Sequence, residues 1–208
     1  MTANATRPSH REFEPSDPLS SFVDVLRGVV LHPVVFFASI PRRGGLRNPF
    51  LFALICIIIG SVLDAVVELI GAESVSVTYS WTQDLLVLLG LSSRSLAGFV
   101  ASIVISVVIG IIILVVLAGI YQLLVRIVVG SENAGFEATF RVAAYSDVVL
   151  LVSRIPIFGP LLGLFYSLDL QFAGLREVHE TTTGRAISMV LLFVVVTLLL
   201  AFGILVAR

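Results

Sequence analysis

Hydrophobic residues fall along this chain in long runs broken by short polar stretches, and the run lengths divide it into elements. Residues 1–17 carry Pro, Ser, Thr and charge without an apolar period, which predicts a disordered cytoplasmic tail. A helix is expected next, with Asp17 at its N-cap and Pro18 in its first turn. Leu19, Phe22, Val23, Leu26 and Val30 recur at helical spacing, His32-Pro33 interrupts them, and Val34 to Ile40 resumes. These pieces are too broken to cross a bilayer, so residues 18–48 read as an amphipathic interfacial segment followed by a basic linker. Packing of the same apolar face onto the bundle's own inner side fits the pattern equally well.

Longer runs follow. The first extends from Pro49 to about Gly71. Residues 72–95 form an outer segment whose Leu85–Leu91 piece is too short to cross, with Tyr79 and Trp81 suited to the headgroup level. The second run, Leu96 to Val125, has no charge and exceeds the roughly 20 residues a bilayer core requires, so it is expected to tilt or protrude. Gly130–Gly135 reads as a turn. The third and fourth runs, 138–153 and 157–175, are short and meet at Arg154-Ile155-Pro156-Ile157-Phe158-Gly159-Pro160. A single helix through 141–175 would span about 50 Å and hold two prolines in mid-membrane, so a helical hairpin is the better reading. The loop 176–185 leads to a fifth run, 186–207. The fold class predicted is all-α: a polytopic integral membrane protein of five transmembrane helices with an N-terminal amphipathic interfacial segment.

Composition agrees, since 58% of the 208 residues are hydrophobic and 13% charged, with a mean hydropathy of +1.08. A net charge of −1 excludes the basic face that nucleic acid requires. All basic residues are Arg, and with five spans and the N-terminus inside, positions 7, 11, 27, 42, 43, 47, 126, 141, 176 and 185 fall on the inner side. Arg94, Arg154 and Arg208 fall outside, so the charge bias predicts a cytoplasmic N-terminus in the cell membrane, plasma or inner. The opening residues do not resemble a secretory signal, because Glu12, Glu14 and Asp17 stand where a basic segment would. The single Cys56, inside an apolar run, excludes a disulfide framework and a Cys-based metal site.

Two stripes of small residues stand out: Gly98, Ser102, Ser106 and Gly110 on the second span, and Gly159, Gly163 and Ser167 on the fourth. Such stripes let membrane helices approach closely, within one chain or between copies. The acids Asp64, Glu68, Asp147 and Asp169, with Gln171, form a candidate intramembrane polar site. Asp64 and Glu68 share one helical face, and Asp64 lies about 22 Å along the helix from Pro49, in the core if the span starts there and at the outer interface if it starts later. Asp147 and Asp169 fit a proton or cation path, or else pairing with an Arg or with nearby Tyr and Ser hydroxyls. Arg176, His179 and Arg185 cluster on the fourth cytoplasmic loop, where they would bind a lipid headgroup or partner, or simply anchor the inner side. No catalytic motif, phosphate loop or dinucleotide fingerprint is present, and the three histidines are scattered, so no catalysis, cofactor or metal is expected.

The order of certain motifs resembles the Yip domain family, the Ypt/Rab-interacting-protein membrane family, in its bacterial form. These are Leu31-His32-Pro33-Val34-Val35-Phe36-Phe37 before a basic linker and Pro49-Phe50, and Gly130 to Phe140 ahead of Ala143-Ala144-Tyr145-Ser146. Ile155-Pro156-Ile157-Phe158-Gly159 follows, then Gly174 to His179 leading to Gly184-Arg185-Ala186. The resemblance implies a five-span protein with a cytoplasmic N-terminus; eukaryotic relatives act in vesicle traffic with prenylated Rab-type GTPases. This chain lacks their Asp-Leu-Tyr-Gly-Pro motif, and that partner is not carried over. The expected function is a multi-pass scaffold or adaptor, not an enzyme, with membrane lipids and a membrane-protein partner or second copy as its contacts. The alternative is a small proton, ion or lipid carrier, for which Asp64, Asp147 and Asp169 would face one cavity.

Overall fold

The computed structural model describes residues 12–69, 77–154 and 158–206, and every regular element among them is helical. The expectations for residues 1–11, for the end of the first span beyond Leu69, for residues 72–76 of the segment after it, for the Tyr79 side chain, for Ile155–Ile157 and for residues 207–208 lie outside the described residues.

Two short helices open the chain, α1 (Pro18–Leu31) and α2 (Pro33–Ser39), separated at His32 because Pro33 cannot continue the α1 hydrogen-bond ladder. Asp17 does occupy the N-cap, but its carboxylate accepts from the Ser20 hydroxyl instead of from a backbone N–H. The two helices pack onto the bundle: Val25, Val29, Phe36 and Phe37 are buried in the main core, and Tyr166 Oη donates to the Val29 carbonyl at 3.0 Å. Their other faces leave Leu19, Val23, Val30, Leu31, Val34 and Val35 exposed.

The expected tail is shorter than 17 residues. Phe13 is buried against Phe52, with ring centroids 6.1 Å apart, and Glu12 reaches a buried arginine, so residues 12–17 belong to the folded unit. Phe22, Phe36, Phe52 and Tyr145 complete an aromatic cluster with centroid spacings of 5.2 Å. Burial of rings of this size supplies much of the hydrophobic and dispersion energy of that end.

α3 (Arg47–Leu69) and α5 (Leu96–Val128) are each long and apolar enough to cross a bilayer. Ser95 caps α5, its Oγ accepting from Gly98 N–H at 3.0 Å. Between them lies a helix the pattern did not distinguish, α4 (Val77–Leu88), which packs on α5; Trp81 in it is half-buried.

The third run is not one straight helix. α6 (Phe136–Ser146) ends at Asp147, and α7 (Val149–Ser153) restarts after Val148. Across the break, N–H groups bond three residues back, Asp147 to Ala144 at 3.3 Å and Leu150 to Asp147 at 2.9 Å, a tightened turn that bends the axis. α8 (Gly159–Val178) folds back on α7, as the two prolines imply, and α9 (Thr183–Val206) closes the bundle against α5 and α8.

The outer faces of the bundle are apolar, unlike those of a soluble one. α5 turns Gly98, Ser102, Ser106 and Gln122 inward and Val100, Val104, Val108, Val115 and Leu123 outward, and α3, α8 and α9 also expose Leu, Ile and Val. Apolar surface on this scale is what lipid, not water, accommodates.

Candidate functional site

Two groups of polar side chains stand out, one at the end of the bundle that holds the α5–α6 turn and one in its middle. At that end Arg141 of α6 is completely buried. Its Nε donates to Glu12 Oε1 at 3.0 Å and its Nη2 to the Gly45 carbonyl at 2.8 Å, while Glu137, one turn earlier, lies 3.6 Å from Nη1. Glu137 accepts in turn from the Gly44 and Gly45 N–H groups at 3.0 and 3.2 Å. The Gly45 amide, then that of Gly44, and to a lesser extent Arg141 hold the Glu137 carboxyl below its ordinary range. Gly44 and Gly45 take φ of 139° and 85°, a conformation that other residues resist and that turns both amides to Glu137. One guanidinium thus ties the N-terminal segment, the basic linker and α6 together. Sequence reasoning placed Arg141 with the surface arginines; the available signal was its position between Phe140 and Val142, four residues after Glu137.

Beside this clamp, the Ala134 N–H donates to His179 Nδ1 at 3.1 Å, which leaves the ring proton on Nε2 to bond Thr139 Oγ1 at 3.1 Å. Thr139 donates to Gln122 Oε1 at 2.5 Å, Gln122 to Asn133 Oδ1 at 3.2 Å, and Asn133 to the Gly130 carbonyl at 2.6 Å. The turn between α5 and α6 is thereby fixed to three helices. Burial, with a smaller contribution from Arg42, pushes His179 down to about 4. His179 is therefore part of the interior, not of a lipid-binding loop. Arg185 is exposed, and Arg176 lies 3.6 Å from Glu177, so the three loop residues do not converge. Gln122, Asn133 and Thr139 were not foreseen, because neutral polar residues at helix ends carry no pattern that separates a network from a solvated turn.

The small-residue stripes serve packing within the chain. A Cβ on Gly110 would come within 2.7 Å of Ile57 on α3, and Ser106 shares a 2.9 Å hydrogen bond with Thr82 on α4. Gly98 lies against the Ser92 carbonyl and Ser102 is buried. Gly159 and Gly163 both abut Ser153, which lets α7 and α8 close the hairpin. Ser167 bonds its own helix, donating to the Leu164 carbonyl.

The acids separate. Asp64 is buried, with Oδ1 2.7 Å from Arg154 Nε; Glu68 accepts from Gln83 of α4 at 2.8 Å; Asp169 stands exposed on α8. Asp147 and Gln171 instead line a cavity of about 260 Å³ between α3 and α5–α9. Ser106 and Tyr121 both border it, so it extends along about 22 Å of α5. Tyr121 Oη, Ser146 Oγ, Asp147 Oδ2 and Gln171 Oε1 are buried there without a hydrogen-bond partner. Tyr121 stacks on Phe193 of α9, with centroids 4.2 Å apart, and was not singled out in the sequence, where it reads as one more aromatic residue of an apolar run.

A family model described as the Yip1 domain matches residues 27–205. That range takes in the helices from the latter part of α1 into α9, and with them the cavity, the His179 network and the Arg141 cluster apart from Glu12. No curated protein and no solved structure matches the chain.

Proposed function

The chain belongs to the Yip1 domain family, and from that premise we propose that it is a five-span membrane scaffold which holds protein or lipid partners through its helix faces and cytoplasmic loops. Its N-terminus lies in the cytoplasm of a cell whose plasma or inner membrane it occupies, the orientation favoured by ten inner arginines against three outer ones. α3 and α5 supply two of the spans; α6–α7, α8 and α9 are the other three, although α7 is short and α8 carries Asp169 and Gln171.

The observation that carries this reading is the rigidity of the inner end. Arg141 and His179 bind five separate segments into one platform, which leaves Arg176, Arg185 and the Arg42–Glu180 pair on its outer surface. A preorganised surface costs little ordering on binding. The carrier reading needs Asp64, Asp147 and Asp169 along one path, and of these Asp147 alone lines the cavity while Asp64 is held by Arg154.

Affinity purification from crosslinked native membranes, with proteins and lipids identified by mass spectrometry, tests the proposal. A stoichiometric partner that is lost in the Arg176→Gln, Arg185→Gln double variant supports it; a bound solute without any protein or lipid partner overturns it. Orientation is tested separately with Ser92→Cys and Gly184→Cys in a Cys56→Ala background. Labelling of position 184 from outside the cell overturns the assignment.

A further inference from the structure

Buried polar groups in native proteins almost always find a partner, and those that do not mark a place for water or an ion. Four oxygens at the mid-bundle cavity are such exceptions, and two of them belong to residues more than nine-tenths buried, Tyr121 at 2% exposure and Ser146 at 8%. The other two are Asp147 Oδ2 and Gln171 Oε1. We infer that this cavity binds a monovalent inorganic cation with part of its hydration shell, Asp147 supplying the charge and Gln171, Ser146 and Tyr121 neutral oxygen ligands.

Charge selects this class of ligand. Among the described residues Asp147 is in no ion pair: Arg154, which borders the same cavity, places its Nε 2.7 Å from Asp64 Oδ1, although that N–H makes no well-aligned hydrogen bond. An ionised acid left uncompensated at membrane depth is expensive and is relieved either by a proton on the carboxyl or by a cation beside it, whereas an anion would worsen the balance. A divalent ion is commonly held by several carboxylates, and the described residues contain no cluster of three His, Cys, Asp or Glu side chains. One carboxylate among neutral oxygens matches a single hard positive charge. Size agrees as well: about 260 Å³ is several times the roughly 30 Å³ share of one water, enough for a cation and a few waters.

The backbone points the same way. The α6–α7 break falls at Asp147, and irregular backbone at membrane depth persists where it lines a cavity, as in the broken helices that hold monovalent ions in transporters. The scaffold reading neither requires nor excludes this site.

The test is thermal unfolding of the purified full-length chain in lipid nanodiscs, titrated with NaCl or KCl against N-methylglucamine chloride at constant ionic strength. A saturable rise in Tm with an inorganic cation, absent with N-methylglucamine, is expected; Asp147→Asn abolishes it and Asp169→Asn keeps it. Should Asp147→Asn fail to fold, Gln171→Ala is expected to weaken the titration midpoint by about tenfold, the loss of one contact to a charged ligand. Equal melting in all three salts overturns the site, as does a saturable rise that survives Asp147→Asn, or a midpoint unmoved by Gln171→Ala. Infrared detection of a protonated Asp147 at neutral pH together with no cation effect also overturns it, and leaves a water-filled cavity beside a neutral acid.

Discussion

Arg141, Thr139 and His179, at the end of the bundle that holds the α5–α6 turn, are fully or almost fully buried, and each is bonded to neighbours on other segments. Six residues beyond Arg141, the chain reaches Asp147, and there Tyr121, Ser146 and Gln171 keep oxygens with no partner at all. Both regions take polar groups out of water. In the first, the protein supplies the partners of Arg141, Thr139 and His179, so these groups hold helices together. In the second it does not, so removing them has a different meaning. A buried charge that is fully bonded is destabilising to break, whereas one that is unpaired is destabilising to keep.

The largest expected effect follows from that contrast. Arg141→Met strips the counter-charge from Glu12 and the donor from the Gly45 carbonyl, and is expected to cost on the order of 3–5 kcal/mol, a large share of the stability of a typical fold. Arg141→Lys does not rescue it, because a point charge on a flexible stem cannot serve the several acceptors a guanidinium reaches at once. Asp147→Asn, measured with N-methylglucamine as the sole added cation, is expected to leave Tm unchanged or to raise it. Thermal melts of the three variants side by side read the difference; equal losses for Arg141→Met and Asp147→Asn would erase the distinction between the two regions.

His179 gives the next effect, and its sign is determined. Its folded value of about 4 lies below the ordinary 6.5, so between those values the unfolded chain binds the proton and the folded chain does not. Stability is fully present above about pH 6.5 and falls as the pH drops towards 4, by up to about 3 kcal/mol, as Nδ1 is protonated and can no longer accept from Ala134. Unfolding followed from pH 7 to pH 4 is expected to show this slope in the parent chain and a flatter one in His179→Gln.

A smaller effect separates tight from open helix contacts. Gly163→Ala would place a Cβ 2.8 Å from Ser153 Cβ and 3.2 Å from its Cα, and is expected to cost about 1–3 kcal/mol. Gly119→Ala, with nothing within 4 Å, is expected to be neutral or slightly stabilising.

What could be read in advance divides along similar lines. Helix class, the long α3 and α5 and the α7–α8 reversal were legible because run length and proline act locally. The packing role of Gly110 and Gly163 followed from four-residue spacing, which carries its meaning on a single helix. The break at Asp147 was not legible: Val-Val-Leu-Leu-Val continues past it with no glycine or proline. Nor were the partnerships, since Arg141 with Glu12 and Arg154 with Asp64 join positions 129 and 90 residues apart, and charge counting treats every arginine alike. Asp64 and Asp169 looked equivalent to Asp147 for the same reason, until the fold gave one an arginine and turned the other outward.

The smallest predicted effect concerns the surface just beyond α8, where an exposed ion pair and a strained backbone occupy the same residue. Glu180 follows α8 with φ of 47°. Thr181 N–H reaches back to the Arg176 carbonyl at 3.1 Å and Glu180 N–H to that of Glu177 at 3.3 Å, the paired bonds of a helix end that usually places glycine at this position. Its carboxylate pairs with Arg42, whose hydrogen bond holds the carboxyl below its ordinary range, but both side chains are largely in solvent, where such pairs contribute little. If backbone strain outweighs the ion pair, Glu180→Gly raises Tm and Glu180→Ala, which keeps the strain and loses the pair, lowers it slightly. The Ala deficit should vanish in high salt, which screens the pair in the parent chain, while the Gly gain persists. A lower Tm for Glu180→Gly at every salt concentration would instead make Arg42–Glu180 a structural tie comparable to the buried clamp at Arg141.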